Sequence, residues 1–320
     1  RNYQIYRQVV VNILEPIKQI RLYGLDNYFN ELIKLYKEGN YPNKILLSGQ
    51  KGIGKSTLAF HFINYVLTID EDYNYDVKNY NINIKSPVFK TIQNKSNSNL
   101  TTIDTYDDKI SININQIREL ILDLNKSSFN KKPRFVLIDN IELLNVNSIN
   151  ALLKILEEPN ENIYFILIHN NKKILSTLLS RCINFKINLS HKDYLNISNK
   201  LLDDKFDNLI NNDLVNYYFS PGEIYYLVHF SLKNNYDLSN IDLKNFLKIL
   251  IEDGHYKKNI FINNMMYDLM EFYFRKINNL FLKLIDEKYS YFVKKINDTK
   301  KYNLDKESLF TEFNEQILNG

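Results

Sequence analysis

The densest chemistry in the chain lies in Gly49-Gln50-Lys51-Gly52-Ile53-Gly54-Lys55-Ser56. These residues fit G-x-x-x-x-G-K-[ST] at every defined position, and three of the protein's eight glycines fall among them. Glycines at this spacing let the backbone curl until successive N–H groups converge on phosphate oxygens. A lysine placed next reaches the outer phosphates, and the hydroxyl after it holds Mg²⁺. The expected chemistry is binding of ATP. Gly49, Gly52, Ile53, Gly54, Lys55, Ser56 and Thr57 form the candidate cradle, with Ser56 as a Mg²⁺ ligand. A glycine turn that holds no ligand is the plain alternative.

A second stretch supplies the other half of such a site. Phe135-Val136-Leu137-Ile138-Asp139 is an apolar run ending in a carboxylate, as a buried parallel strand does when it delivers an aspartate to bound Mg²⁺. The next residue is Asn140, whose amide is far too weak a base to activate water. Glu142 is acidic but is expected to point away from the phosphates as a solvated helix charge. Tyr164-Phe165-Ile166-Leu167-Ile168 reads as another buried strand, and Asn170 beyond it is a candidate sensor of the γ-phosphate, with His169 a weaker one. Arg181 stands in a lysine-rich chain, and its planar fork can bridge phosphate oxygens as lysine cannot. It is a candidate arginine finger for a neighbouring subunit's site, with a structural salt bridge as the alternative. Cys182 reads as a small buried residue.

The elements that position these groups can be read around them. Lys44–Ser48 is a short strand feeding the glycine loop, and 57–63 has helical spacing after it. Ahead of it, Ile13, Ile17 and Ile20 have helical spacing. A second amphipathic helix runs from Tyr28 to Tyr36 and is closed by Gly39 and Pro42. Residues 70–112 read as an exposed insertion, with 88–92 and 100–103 as strands of a small hairpin. A helix over 116–124 follows. Another covers 148–158, with Ser148 as N-cap and Pro159 as its end. From His191 onward the pattern is helical: 191–204, 206–218, 221–232, 240–252, and 257–299 with a break. The apolar faces carrying Phe246, Phe261, Tyr267, Phe272, Phe274 and Phe281 need partners, in a helical core or an oligomer interface.

Composition limits the function classes. The 320 residues suit two or three domains, 44% hydrophobic and 24% charged. A net charge of +4 permits a local basic face without announcing a nucleic-acid protein. The single cysteine excludes a disulfide framework or a multi-cysteine zinc site within the chain, so no zinc is expected. No apolar run reaches the length of a membrane span, and a cytoplasmic setting is expected.

The run from Asp139 to Cys182 resembles the AAA+ clamp-loader subunits of bacterial DNA polymerase III. Asn150-Ala151-Leu152-Leu153-Lys154-Ile155-Leu156-Glu157-Glu158-Pro159 is similar to that family's N-A-L-L-K-x-L-E-E-P helix, and Ser180-Arg181-Cys182 to its S-R-C motif. Within the family the departures resemble the delta-prime group: no cysteine cluster after the P-loop, Asn140 after the aspartate, and Ser220-Pro221-Gly222-Glu223 in place of S-P-G-R. The resemblance implies an α/β P-loop AAA+ domain (parallel sheet flanked by helices) over 1–187, a small helical lid domain over 188–235 and an all-α collar domain over 236–320. It implies a part in loading a sliding clamp onto primed DNA, in a hetero-oligomer with gamma/tau and delta subunits. DNA contacts would be to the backbone, and Arg181 would act in trans on a neighbour's ATP. Glu223 would repel a γ-phosphate. A gamma/tau-like ATPase motor and a P-loop phosphotransferase are the alternatives.

Overall fold

In the computed structural model, the described residues are 15–105, 111–126, 130–157, 162–171, 176–203, 208–215, 219–278, 284–302 and 304–319. The chain divides into two units, one of Arg1–Asp204 with Ser220–Leu227 and one of Lys205–Phe219 with Val228–Gly320.

The first unit is built on a parallel five-stranded sheet. Its strands are β1 (Lys44–Ser48), β2 (Leu100–Ile103), β3 (Arg134–Ile138), β4 (Ile163–His169) and β5 (Ile183–Lys186), in the order β2-β3-β4-β1-β5. The inner strands are apolar on both faces because helices cover both. Ile45, Leu47, Phe135, Leu137, Ile166 and Ile168 point into one core with α1 (Asp26–Lys37), α2 (Lys55–Leu67) and α3 (Pro87–Gln93). The alternate residues Leu46, Val136, Ile138, Phe165 and Leu167 point into the other, with α4 (Ile114–Leu124) and α5 (Val146–Glu157). Short α6 (Ser176–Leu179), α7 (His191–Leu202) and the start of α8 (Pro221–Lys233) complete the unit. The parallel arrangement brings the C-terminal ends of β3, β4 and β1 side by side. That edge receives Asp139, Asn170 and the glycine loop.

The second unit is helical. It holds the rest of α8, then α9 (Leu243–Glu252), α10 (His255–Lys258), α11 (Ile260–Asn278), α12 (Leu284–Tyr302) and α13 (Lys306–Phe313). Phe246, Phe274, Phe292 and Phe313 are fully buried, and the last three pack ring against ring at 5.5–5.8 Å. Phe246, Tyr267 and Phe274 are thus core of this unit, Phe261 and Phe272 are half-buried, and Phe281 lies outside the described residues.

Several sequence expectations are corrected. Residues 88–92 are helix, not strand: Pro87 sits in the first turn and the Ser86 hydroxyl accepts from the Phe89 N–H, a start signal that outweighs β-branched content. There is no hairpin there, since β2 pairs parallel to β3 as the sheet's edge. Nor are residues 70–112 an exposed insertion, because Tyr75, Ile82, Phe89 and Ile92 are buried in the core. Ile17 lies in a single 3₁₀ turn (Pro16–Lys18) and Ile20 lies beyond it. Helix α5 starts two residues before Ser148; the Asn145 side chain accepts from the Ser148 N–H, so Asn145 caps it. Residues 208–215 form turns rather than the helix expected over 206–218. Ile13 and Pro159 lie outside the described residues.

Candidate nucleotide site

Strand β1 ends at Ser48, and the loop that follows turns into α2 through Gly54, whose φ of +96° makes it a left-handed cap. Only glycine adopts that conformation cheaply, and it aims the helix's N-terminal N–H groups back at the loop. At the loop's crown Gly52 (φ +80°) meets the start of α8. The Gly222 N–H donates to the Gly52 carbonyl at 3.1 Å, and a Cβ on Gly52 would lie 2.1 Å from the Ser220 hydroxyl oxygen.

Lys55 is the first residue of α2 and is 3% exposed. Its Nζ donates to the carbonyls of Gly49 (2.9 Å) and Gln50 (2.5 Å). Burial lowers its pKa to about 8, opposed by the negative charges of Asp139 and Glu142 and reinforced by Lys51. The Ser56 hydroxyl donates a short hydrogen bond to Asp139 Oδ2. Burial raises the Asp139 carboxyl to about 6, and the nearby Asp104 charge adds to this. The Ser56 and Asn140 donors and the Lys55 charge work against it. Ile53 is buried beneath the loop, and Thr57 lines the same cavity of about 230 Å³ as Lys55, Asp139 and Asn170. Pro16, Gln19, Arg21 and Tyr23 line it too, so the segment before α1 is part of the site.

A chain of amides and carboxylates closes the strand-end side. The Asn140 Nδ2 donates to Asp104 at 2.8 Å, and its Oδ1 accepts from Asn170 Nδ2 at 2.8 Å. Asn170 also donates to Glu142, from Nδ2 at 3.0 Å and from its backbone N–H at 3.3 Å. Glu142 is therefore not a solvated helix charge. A 3₁₀ turn over Ile141–Leu143, started by left-handed Asn140, swings its carboxylate back to the site. Asp104 was missed because the sequence around it read as an insertion rather than as the end of β2.

Glu223 turns its carboxylate back onto the start of α8 and does not line the cavity. Its carboxylate accepts from the Ser220 N–H (2.7 Å) and hydroxyl (2.9 Å), while the Ser220 oxygen accepts from the Glu223 N–H (3.3 Å). This is a capping box at the start of α8, and S-x-x-E was its sequence signal. Arg181 sits apart from the cavity. Its Nη2 pairs with Glu157 at 2.7 Å and its Nη1 donates to the Thr177 carbonyl at 2.8 Å. Half-buried Cys182 has its thiol pushed up to about 11 by burial, as suits an unreactive packing residue. Among the described residues no group of three or more His, Cys, Asp or Glu could hold a metal, and no helix is long and apolar enough to cross a membrane.

The family model described as DNA polymerase III, delta subunit matches residues 24–191. A DNA polymerase III subunit gamma of Buchnera aphidicola (subsp. Schizaphis graminum) is 30% identical over 178 residues, 53% of this chain and 46% of that protein. A DNA polymerase III subunit delta' of the same organism is 29% identical over 189 residues, 57% of this chain and 54% of that protein. The chain spans about half the length of these curated relatives. Among solved structures, a DNA polymerase III, gamma subunit-related protein from Thermotoga maritima aligns with a TM-score of 0.45 and 17% identity, covering 88% of this chain and 96% of that one.

Proposed function

The chain belongs to the DNA polymerase III, delta subunit family, and on that premise we propose that it is a clamp-loader subunit of the delta-prime type. In this reading it binds ATP with little or no hydrolysis of its own and completes a neighbouring subunit's ATPase. The residues fit a magnesium-bound triphosphate: Lys55 is a buried ammonium behind a glycine loop, and the Ser56 hydroxyl touches the half-buried Asp139 carboxylate. Gly49, Gly52, Ile53, Gly54, Lys55, Ser56 and Thr57 would hold the phosphates, Asn170 would sense the outermost one, and Ser56 and Asp139 would hold Mg²⁺. A bound triphosphate would supply negative charge, and Lys55, which here donates to the Gly49 and Gln50 carbonyls, would turn to its outer oxygens.

One observation carries the reading. The binding half of the site is complete, while the position after Asp139 holds an amide committed to Asp104 and Asn170. Arg181 supports the second half. Its partner Glu157 is 54% exposed, so the pair is worth at most about 1 kcal/mol and is readily exchanged for a neighbour's phosphate. The division into a P-loop domain (1–187), a lid (188–235) and a collar (236–320) is part of the same reading, as are a cytoplasmic hetero-oligomer with gamma/tau and delta, a sliding clamp, and backbone contacts to primed DNA. Lys132 and Arg134 are poor DNA contacts, since they are tied to Glu71 and Asp123, whereas Lys131 is exposed.

The test is ATP binding and turnover by the purified chain, alone and then with gamma/tau and delta. Binding without turnover alone, and hydrolysis in the assembly that Arg181→Ala abolishes, is the expected result. A second reading, a motor of the gamma/tau type, is favoured by one feature, the Glu142 carboxylate turned to the site. Rapid turnover by the chain alone that Glu142→Gln abolishes would establish it and sink the first.

A further inference from the structure

A second groove, of about 420 Å³, lies beside the edge strand β2 at the opposite end from Asp104. Ile92 and Leu100 contribute apolar surface to it, and Lys95, Lys126, Arg134 and Asp123 supply its charges. Three cations against one carboxylate leave it positive by two. Arg134 is 12% exposed and tied to Asp123 at 3.2 Å. The Lys126 side chain, 3.3 Å from Asp123, is 69% exposed, and Lys95 is exposed on a left-handed turn.

The strand beside this groove has an open edge. Among the described residues β2 pairs only with β3, and the carbonyls of Asn99 and Ile103 accept from the Phe135 and Asp139 N–H groups. In a parallel ladder the N–H and carbonyl of one residue face the same side and alternate along the strand. Thr101 therefore faces β3, while Leu100 and Thr102 face outward. The Leu100 N–H is taken by the Asn97 carbonyl, and the Asp104 carbonyl is taken by Gln116. Among the described residues, what stays open is the Leu100 carbonyl and both backbone groups of Thr102, which is exposed.

We propose that this groove docks an extended acidic segment of a partner protein, which adds a strand outside β2 and sets carboxylates against Lys95 and Lys126. A peptide brings alternating donors and acceptors that match the Thr102 N–H and the Leu100 and Thr102 carbonyls. A phosphodiester brings acceptors alone, so it would leave those carbonyls unpaired and would meet Asp123. The same lysines repel basic strands and would have to be desolvated against neutral ones, which disfavours stray edge-to-edge pairing. The proposal is independent of the nucleotide reading, because the groove shares no residue with that cavity.

The probe is a fluorescein-labelled, end-capped peptide of alternating valine and glutamate, with a labelled single-stranded oligonucleotide as comparison, read by anisotropy on the full chain. Thr102→Pro removes the outward N–H without touching a bond to β3, and circular dichroism checks the fold. Peptide binding that weakens about tenfold in Thr102→Pro, the size of one lost hydrogen bond, is expected. A similar loss is expected in Lys95→Glu/Lys126→Glu, which leaves the backbone intact. No peptide binding in the millimolar range would overturn the proposal. So would equal binding by Thr102→Pro, or oligonucleotide binding that fails only in the charge-reversed variant, which would mark a phosphate surface.

Discussion

His61 ties the P-loop helix to the wall of the cavity, and its titration can be measured directly. It lies fully buried in α2. Nε2 is 3.1 Å from the Gln19 carbonyl, which can only accept, so Nε2 carries the proton and Nδ1 accepts from the Tyr75 hydroxyl at 2.8 Å. Burial lowers the imidazole pKa from 6.5 to about 4, and the Gln19 bond opposes this without prevailing. Between those values the unfolded chain takes up a proton that the folded one refuses. His61 thus contributes stability that is complete above pH 6.5 and is lost as the pH falls toward 4. A shift of about 2.5 units at 1.36 kcal/mol each is about 3 kcal/mol, large against a typical stability of 5–15 kcal/mol. The assay is an NMR titration of the imidazole, with His61→Gln identifying its signal among the five histidines. Denaturant unfolding from pH 7 to 4 then gives the slope. His61→Gln should be less stable at pH 7 yet flatter over this window. An imidazole that titrates near 6.5, or a variant with the wild-type slope, would refute the reasoning.

Three further outcomes are expected. Gly52→Ala forces a Cβ to within 2.1 Å of the Ser220 hydroxyl at φ +80°, and should cost about 1–3 kcal/mol; an unchanged melting temperature would show that α8 does not press on the loop. Ser220→Ala breaks the capping box with Glu223 and should cost about 1 kcal/mol in thermal unfolding, with no effect if Glu223 instead faces the cavity. Asn140→Asp sets a new carboxylate against Asp104 and Asp139, so the variant should be destabilised more at pH 8 than at pH 5; equal destabilisation at both would mean the amide network is not the constraint.

The parts of the site carried by long-range periodicity and by a spaced motif were legible in the sequence. The interior residues of β1, β3 and β4 are apolar on both faces because both are covered, and β3 and β4 lead directly to Asp139 and Asn170. The parts decided by short local hydrogen bonds were not. Val88-Phe89-Lys90-Thr91-Ile92 has strand composition, but Ser86 and Pro87 start a helix there, and misplacing that element hid Asp104 at the end of β2. Glu142 was judged by distance along a regular helix, whereas a left-handed residue at 140 begins a 3₁₀ turn that redirects it. Glu223 was judged by what another residue would do at its position, while its own partner lay three residues back.

Asn140 links these cases. An amide can donate to one neighbour and accept from another, and here it donates to Asp104 and accepts from Asn170. An ionised carboxylate at the same place could only accept. It would meet Asp104 as a like charge, with Asp139 one residue away and Glu142 across Asn170. The amide is therefore the side chain that stitches the ends of β2, β3 and β4 together across three acids. Of the three acids, Asp139 lines the cavity and Glu142 is held by two hydrogen bonds from Asn170. A phosphate that drew Asn170 toward itself would also loosen Glu142, so the proposed sensing role of Asn170 and a basic role for Glu142 would compete for the same amide.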